Sequence, residues 1–399
     1  MIELSNLIDE PDFEYAEDIL LRSVAKGIRV ADLDKVKQQC KLELSLREKS
    51  IQDKWGINLN KLYISLELLI GNKYGFKPNC VDDIRKLASM GYEPALDVLA
   101  YLKVKDCLSK ANTLSRYTEC NRVYPNVTRG VTNRISYNEP ALISYSKLNL
   151  EMMIRPRNVG DRLVSVDIKS EEPWILFNSL GVEEVKQCMI PTNHNGLYED
   201  LYEYTGNKIE TPSQRKQVKK AVLGTIYGMG DKSLKENVVG VDGVAIKKVI
   251  KNFEEIKEYI QECKEQLREK DNIVKTYFDT EIEIPKDQLN LARILNYMVQ
   301  GTASDILALM VCGVQEQLEE RGLSEDIEIY YVRYDEILFN ISKDYVDKHS
   351  EEEIKDTLRS IIYTEIDDWV AFGYDIEFIK ERDSMGNEVT NSTLIDSLE

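Results

Sequence analysis

Four residues at a regular spacing of four, Arg215, Lys219, Leu223 and Tyr227, form the pattern in this sequence that is best suited to chemistry. Positions four apart share one face of an α-helix with 3.6 residues per turn, so these side chains are expected to line up. Two cations occupy the first half of this face, and an apolar and then an aromatic side chain occupy the second. A triphosphate fits the cationic end and a flat base fits the other end. A basic surface helix shows the same pattern, and this segment alone does not separate the two interpretations.

Three other segments resemble sequence motifs of one protein family, and they occur in that family's order. Residues 163–173 resemble motif A (D-Y-S-Q-I-E), residues 296–305 resemble the N-x3-Q-G-T-A-A-D helix, and residues 331–339 resemble motif C (V-H-D-E). The helix of Arg215 itself resembles motif B (R-x3-K-x3-F/Y-G-x2-Y-G). A lone V-x-x-D-E occurs by chance, but four motifs in order over roughly residues 125–345 are specific. The sequence is therefore identified as a member of the family A DNA polymerases.

This resemblance implies a two-metal site for nucleotidyl transfer that is built on Asp167 and Asp335. Hard cations require oxygen ligands, and two Mg²⁺ ions about 3.5–4 Å apart serve in-line displacement at phosphorus. Asp167 ends one strand pattern and Asp335 lies at the turn of another, 168 residues later, so only a folded sheet brings them together. The backbone carbonyl of Ile168 is an expected further ligand and Glu336 an accessory carboxylate. Mn²⁺ is an expected substitute for Mg²⁺.

The resemblance also assigns residues to the incoming deoxynucleoside triphosphate. Arg215 and Lys219 are expected to hold the triphosphate, with Lys219 as a proton donor to pyrophosphate. Tyr227 is expected to close the pocket near the templating base, beside Leu223. Tyr202 lies at the position of a phosphate-binding histidine, and a packed aromatic residue is the equal alternative.

Discrimination between sugars is implied for Glu172, the residue that matches the family glutamate that blocks the ribonucleotide 2'-hydroxyl. Glu171 is adjacent, and an alignment shifted by one residue would exchange the two. The D-x4-E spacing from Asp167 favours Glu172.

Weaker matches predict how primer-template DNA is held. Residues 132–136 resemble T-G-R-L-S, whose arginine matches Arg134 and reads the primer's minor groove. Asn296 and Gln300 are expected to bond the acceptors that every base pair presents in that groove. Arg293 is one residue from the family's usual arginine. Tyr334 precedes the motif C aspartate and is expected near the primer terminus.

Three positions depart from the family pattern. Leu223 replaces the usual Phe or Tyr, which puts discrimination between sugars in doubt. Tyr334 replaces the motif C histidine, and Asn133 replaces the glycine of T-G-R. None of these changes removes a predicted metal ligand or phosphate-binding cation, so activity is expected.

A 3'-5' exonuclease is not expected, and three other functions remain open. Asp12-Phe13-Glu14 and Asp279-Thr280-Glu281 match D-x-E, but neither is surrounded by the rest of an exonuclease motif set. The alternatives are a single-subunit RNA polymerase, a reverse transcriptase suggested by 332–336, and an inactive homologue that only binds DNA. A separate exonuclease or processivity partner is left open. By analogy alone, the compact chain suggests a phage or plasmid replicase or a repair enzyme.

The composition is that of an ordinary soluble protein, with 43% hydrophobic and 31% charged residues. The net charge is −18, but residues 101–162 hold 11 Lys and Arg against 5 Asp and Glu, while residues 341–399 hold 6 against 16. A basic strip on an acidic body suits a groove for a nucleic-acid backbone. Seven scattered cysteines and two histidines predict neither a zinc cluster nor a disulfide framework. No secretory signal and no apolar run of membrane-spanning length are apparent, so a cytoplasmic location is expected.

These groups must be positioned by an α+β fold, because strand patterns at 163–168, 274–284 and 327–341 are separated by helical ones. The resemblance implies a right-hand polymerase with an antiparallel-sheet palm and mostly helical thumb and fingers. The predicted divisions are a helical segment (1–45), thumb (46–124), palm with motif A (125–190), fingers (191–285), palm with motif C (286–383) and a polar tail (384–399).

Overall fold

The structure is a computed structural model, and it describes residues 11–71, 73, 77–182, 185, 196–362 and 374–382. The chain divides into two compact units. The first comprises residues 1–28, 124–143 and 156–379, and the second comprises residues 29–123, 144–155 and 380–399. The predicted polar tail at 384–399 lies outside the described residues.

The chain forms runs of helices that are separated by short groups of strands. The helices are α1 (Phe13–Ala25), α2 (Leu33–Trp55), α3 (Leu62–Ile70), α4 (Val81–Ser89), α5 (Glu93–Leu114), α6 (Lys147–Met153), α7 (Glu171–Ser179), α8 (Leu197–Glu203), α9 (Pro212–Ile226), α10 (Asp231–Asn237), α11 (Gly243–Asn252), α12 (Glu254–Glu269), α13 (Leu291–Glu320), α14 (Lys343–Val346) and α15 (Glu351–Ile362). The strands are β1 (Ile28–Arg29), β2 (Arg122–Val123), β3 (Asn126–Arg129), β4 (Ile135–Asn138), β5 (Arg162–Ile168), β6 (Ile273–Lys275), β7 (Glu281–Glu283), β8 (Ile327–Arg333), β9 (Glu336–Ile341) and β10 (Tyr374–Phe378).

The first unit is built on a four-stranded sheet with the strand order β10-β5-β9-β8, in which every pair is antiparallel. β9 is buried along its whole length, so both faces of the sheet are covered. Strands β5 and β8–β9 lie where alternating and apolar residues predicted them. Together with the helices around the sheet, this arrangement confirms the predicted α+β class.

The long helix α13 lies in the core of the first unit. Gly301 is required there, because a Cβ atom at this position would overlap the side chains of Ile282 and Thr276. These belong to the β6–β7 hairpin and the turn that follows β6, so the hairpin packs closely on α13. By length and composition alone, this helix could cross a membrane, whereas the sequence predicted no apolar run of that length. However, 83% of its most apolar stretch is buried inside the protein, as in a core helix.

Helix α9 carries the four-residue pattern of Arg215 and begins at a strong N-terminal signal. The side chain of Thr211 accepts a hydrogen bond from the amide of Gln214 at 3.2 Å, and the Gln214 side chain accepts one from the amide of Thr211 at 3.1 Å. Pro212 at the first helical position completes this capping box. Residues next to the helix therefore define where α9 begins. The starting residue in turn determines which side of the helix carries Arg215 and Lys219.

The second unit is helical and is centred on the packing of α2 against α5 and of α4 against α5. Its core includes Ile51, Leu66, Ile84 and Val98. This unit contains residues 46–123 of the predicted thumb (46–124) but begins earlier, at residue 29. The predicted boundary at residue 45 falls inside α2. The division into thumb, palm and fingers stays a prediction.

Candidate active site

The two motif aspartates lie side by side at the ends of neighbouring strands of the central sheet. Asp167 is the penultimate residue of β5, and Asp335 lies in the turn between β8 and β9. The amide of Ile168 donates a hydrogen bond to the carbonyl of Asp335 at 3.1 Å, which ties the turn to β5. The sheet also pairs Asp167 with Glu336 on one side and with Asp375 on the other. Asp375 was not predicted, and only the strand pattern of 374–378 could have suggested it.

The turn that carries Asp335 has an unusual backbone. Tyr334 adopts a left-handed conformation with φ of 56°, and its side chain is 45% exposed. This conformation is uncommon for a residue other than glycine, asparagine or aspartate. The turn therefore presents the Tyr334 ring to solvent immediately before the aspartate.

Acidic neighbours raise the pKa values of both aspartates. Desolvation, followed by the charges of Asp335, Glu336 and Asp375, raises the pKa of Asp167 to about 7, although Asp167 keeps an exposed surface. Burial also raises the pKa of Asp335. The positive charge of Lys219 on α9 opposes the rise at both residues, so this lysine lies in their neighbourhood.

This donor set fits a hard divalent cation. A cation between Asp167 and Asp335 would remove the repulsion that raises their pKa values. Within the described part of the chain, no three His, Cys, Asp or Glu side chains come close enough to hold a metal ion by themselves. Mg²⁺ needs only one or two protein carboxylates, because water and substrate phosphates fill the rest of its shell.

The carboxylate of Glu336, next to Asp335 in sequence, is occupied by hydrogen bonds to other residues of the sheet. Its carboxylate accepts hydrogen bonds from Arg333 at 2.6 and 2.9 Å and also from the hydroxyl of Ser165. The residue is buried. Its fixed partners suit an accessory carboxylate better than a direct metal ligand.

The cations of α9 are held over an aromatic ring. The guanidinium of Arg215 lies 5.3 Å and the Lys219 ammonium 5.9 Å from the ring centroid of Tyr198 on α8. The Arg215 Nε donates to the Glu199 carboxylate at 2.6 Å. Tyr198 and Glu199 were not predicted, because none of the family motifs found in the sequence includes residues 198–199.

The second half of the α9 face lines an open pocket with a volume of about 540 Å³. Its lining residues are Lys216, Lys219, Lys220, Leu223, Gly224, Tyr227 and Met229. A Cβ atom on Gly224 would lie 3.0 Å from the terminal methyl of Met229, so glycine permits the close packing there. The predicted order of cationic, apolar and aromatic side chains is thus present on one surface.

A network of contacts joins the predicted sugar-discriminating residue to three other elements. Arg134 donates to the Glu172 carboxylate at 3.3 Å. Tyr227 lies close to Glu172 and to Gln300 on α13, and burial, followed by the charge of Glu172, raises the pKa of Tyr227. The guanidinium of Arg134 also lies 5.4 Å from the ring centroid of Tyr334.

Glu171 is the unexpected residue of this region. It is 4% exposed, and one of its carboxylate oxygens is buried without a hydrogen-bond partner among the described residues. Burial, followed by the charge of Asp335, raises the pKa of Glu171 well above its ordinary value. The environment of Glu171 therefore disfavours its charged form. Only Glu172 reaches the Arg134 and Tyr227 partners.

Three predicted site residues have no described side-chain contact with the group formed by Arg134, Glu172, Tyr227 and Gln300. Tyr202 is buried beside a second pocket of about 500 Å³, where Leu234, Val238 and Asp242 are among its neighbours. Arg293 donates to the carbonyl of Gln288 at 2.7 Å near the start of α13. Asn296, one turn before Gln300, has a buried side-chain oxygen without a hydrogen-bond partner among the described residues.

Paired aspartates at strand ends, with Lys219 nearby on a helix that also carries Arg215, form a set of groups that suits a metal ion and phosphates. The sequence profile of DNA polymerase family A matches residues 61–369. The chain therefore belongs to DNA polymerase family A, a class of DNA-directed DNA polymerases.

Individual relatives are distant. The chain is 25% identical to DNA polymerase I of Aquifex aeolicus (strain VF5), over 91% of this chain and 69% of that protein. It is 24% identical to DNA polymerase I of Rhizobium leguminosarum, over 66% of this chain but only 28% of that protein. The fold is similar to that of the POL domain of Pol1 from M. smegmatis in complex with DNA primer-template and dNTP. That similarity has a TM-score of 0.71 and 16% identity, and it covers 93% of this chain and 70% of the other.

Proposed function

We propose that this chain extends a primer 3' end with deoxynucleotides by two-metal nucleotidyl transfer on a DNA template. The observation that carries the proposal is that Asp167, near the end of β5, lies beside Asp335 in the β8–β9 turn, with Lys219 close to both carboxylates. In this reaction the primer 3'-oxygen forms a bond to the α-phosphorus, and the bond from that phosphorus to the bridging oxygen breaks. Pyrophosphate leaves, and the proton of the 3'-hydroxyl is lost to solvent.

Asp167, Asp335 and the carbonyl of Ile168 would hold two Mg²⁺ ions, or Mn²⁺ in their place. When bound, these ions activate the 3'-hydroxyl and neutralise charge on the leaving pyrophosphate. The proposal is supported by the raised pKa of Asp167, because burial and the neighbouring carboxylates that cause the rise would be offset by a bound cation.

Residues on α9 would bind the triphosphate and the base. Arg215 and Lys219 attract the phosphates, and Lys219 gives a proton to the leaving pyrophosphate. Leu223 and Tyr227 pack against the nucleotide in the pocket that they line. Tyr202 lies in a different pocket, so we omit it from this role.

Glu172 would exclude the ribonucleotide 2'-hydroxyl, because Arg134 and Tyr227 fix its carboxylate. Arg134, Asn296 and Gln300 would bond to the minor groove of the primer-template, and the exposed ring of Tyr334 would contact the primer terminus. We propose no 3'-5' exonuclease, and we propose that the protein acts in the cytoplasm of a bacterial or phage-infected cell.

A primer-extension assay tests this proposal. Wild-type protein is given Mg²⁺ or Mn²⁺, a labelled primer on a DNA or RNA template, and either deoxynucleotides or ribonucleotides. Extension on DNA with deoxynucleotides is expected, with each addition dictated by the template base. Preferential use of ribonucleotides would favour an RNA polymerase, preferential use of an RNA template would favour a reverse transcriptase, and DNA binding without extension would favour an inactive homologue.

A further inference from the structure

We propose that Tyr198 and Glu199 are positioning residues that hold the Arg215 guanidinium ready for the phosphates of the incoming nucleotide. This inference rests on the proposed function of Arg215 and extends it to α8. No motif quoted for the sequence includes either residue, and they are consecutive in the chain.

The contacts of Arg215 leave its outer end available. Glu199 accepts a hydrogen bond from Nε at 2.6 Å, on the inner side of the guanidinium. The ring of Tyr198 lies 5.3 Å from its central carbon. An arginine has five N–H donors, four of them on the two terminal nitrogens, and these suit bidentate binding of phosphate oxygens. The inner nitrogen is therefore held while the phosphate-binding nitrogens stay accessible.

Both positioning side chains are more buried than the arginine that they contact. Tyr198 is 1% exposed, and the side chain of Glu199 is 18% exposed, whereas that of Arg215 is 47% exposed. Gly196, with φ of 104°, leaves the space for this arrangement. A Cβ atom there would lie 2.9 Å from a Glu199 carboxylate oxygen and 3.9 Å from an Arg215 terminal nitrogen. The two buried side chains thus restrain a longer and more exposed one.

This restraint has a predictable effect on binding. A free arginine loses rotational freedom when it binds phosphate, and that loss weakens affinity. A guanidinium already held in place avoids most of the loss. The negative charge of Glu199 works in the opposite direction, because it repels the triphosphate. Our proposal is that the restraint outweighs the repulsion.

Three variants separate restraint from repulsion. Glu199→Ala removes both the acceptor and the charge, and should raise the KM for dTTP about 10-fold with kcat within about 2-fold of wild type. Glu199→Gln keeps an acceptor and removes the charge, so its KM should stay at or below that of wild type. Tyr198→Leu removes the ring and should raise KM, whereas Tyr198→Phe keeps the ring and should not.

A matched control and a double-mutant cycle complete the experiment. Glu203→Ala, on the same helix and paired with Lys208, should leave KM unchanged. In an Arg215→Ala background, Glu199→Ala should add nothing further, because a positioning residue acts only through its partner. Circular dichroism checks that each variant is folded.

The outcomes are distinct. If Glu199→Ala lowers KM, or raises it equally with and without Arg215, the positioning role is wrong. If wild type extends no primer, the proposed function fails. The dissociation constant of dTTP, measured by calorimetry with wild type and Glu199→Ala, still tests the inference in that case.

Discussion

Arg134 donates a hydrogen bond to the carboxylate of Glu172, with 3.3 Å between the terminal nitrogen and the carboxylate oxygen. The sequence assigned one of these residues to the primer's minor groove and the other to the nucleotide sugar. Their contact means that the two proposed functions share one network. A change at either residue is therefore expected to affect both DNA binding and selection of the sugar.

Replacement of Glu172 by alanine should raise the use of ribonucleotides strongly relative to deoxynucleotides. The fixed carboxylate leaves no room for a 2'-hydroxyl, and discrimination by a clash is lost on truncation. The measurement is the ratio of kcat/KM for the two nucleotides. Leu223 is smaller than the usual aromatic residue, so the wild-type protein is expected to discriminate less strongly against ribonucleotides from the outset.

Glu171→Ala is the matched control for this prediction. Glu171 is buried and lacks the Arg134 and Tyr227 partners of Glu172, so its removal should change the ratio little. A shift with Glu171→Ala and none with Glu172→Ala would mean that the motif A alignment is wrong by one residue.

The stability of the metal-free protein should fall as pH rises from about 4 to 7. The folded-state pKa of Asp167 is raised to about 7, above its unfolded value near 4, so the folded state binds the proton more tightly in this window. Asp167→Asn stays neutral and should raise Tm at pH 8 by roughly 1–3 °C. Calorimetry with and without Mg²⁺ measures this.

Added Mg²⁺ should raise the Tm of wild type more than that of Asp167→Asn, because only the wild type gains a counter-charge for that carboxylate. Asp53→Asn, an exposed change on α2, should respond to Mg²⁺ as wild type does. Equal responses of wild type and Asp167→Asn would contradict a metal site at Asp167.

The purified protein should not degrade a matched or mismatched primer 3' end in Mg²⁺ without nucleotides. Both D-x-E segments have structural roles: the side chain of Asp12 caps α1 by accepting from the amide of Tyr15 at 2.8 Å, and Asp279 lies in the turn between β6 and β7 with φ of 62°. Degradation that disappears in Asp12→Ala or Asp279→Ala would reveal an exonuclease site.

The parts of the site that follow from local patterns were predictable from the sequence. Helical spacing put Arg215, Lys219, Leu223 and Tyr227 on one face, and strand patterns put Asp167 at the end of β5. Local pattern does not reveal which distant elements meet. The ring of Tyr198 under the two cations and Asp375 beside Asp167 therefore appear only in the folded chain.

Tyr202 illustrates the limit of transferring a role by alignment. It occupies the position of the family's phosphate-binding histidine, and its ring is buried beside the second pocket. Tyr198, one helical turn earlier, contacts the cations instead. The two tyrosines have similar sequence surroundings, and only packing against α9 distinguishes them.

The central claim is that Asp167 and Asp335 carry out the chemistry, and single-nucleotide incorporation by matched variants tests it most directly. Asp167→Asn and Asp335→Asn should each slow incorporation of the templated deoxynucleotide by more than about 1,000-fold, with the dissociation constant of primer-template nearly unchanged. Asp375→Asn, which is paired with Lys169 beside the same strand, should stay within about 10-fold of wild type. Near wild-type rates for a folded Asp167→Asn or Asp335→Asn protein would contradict the account.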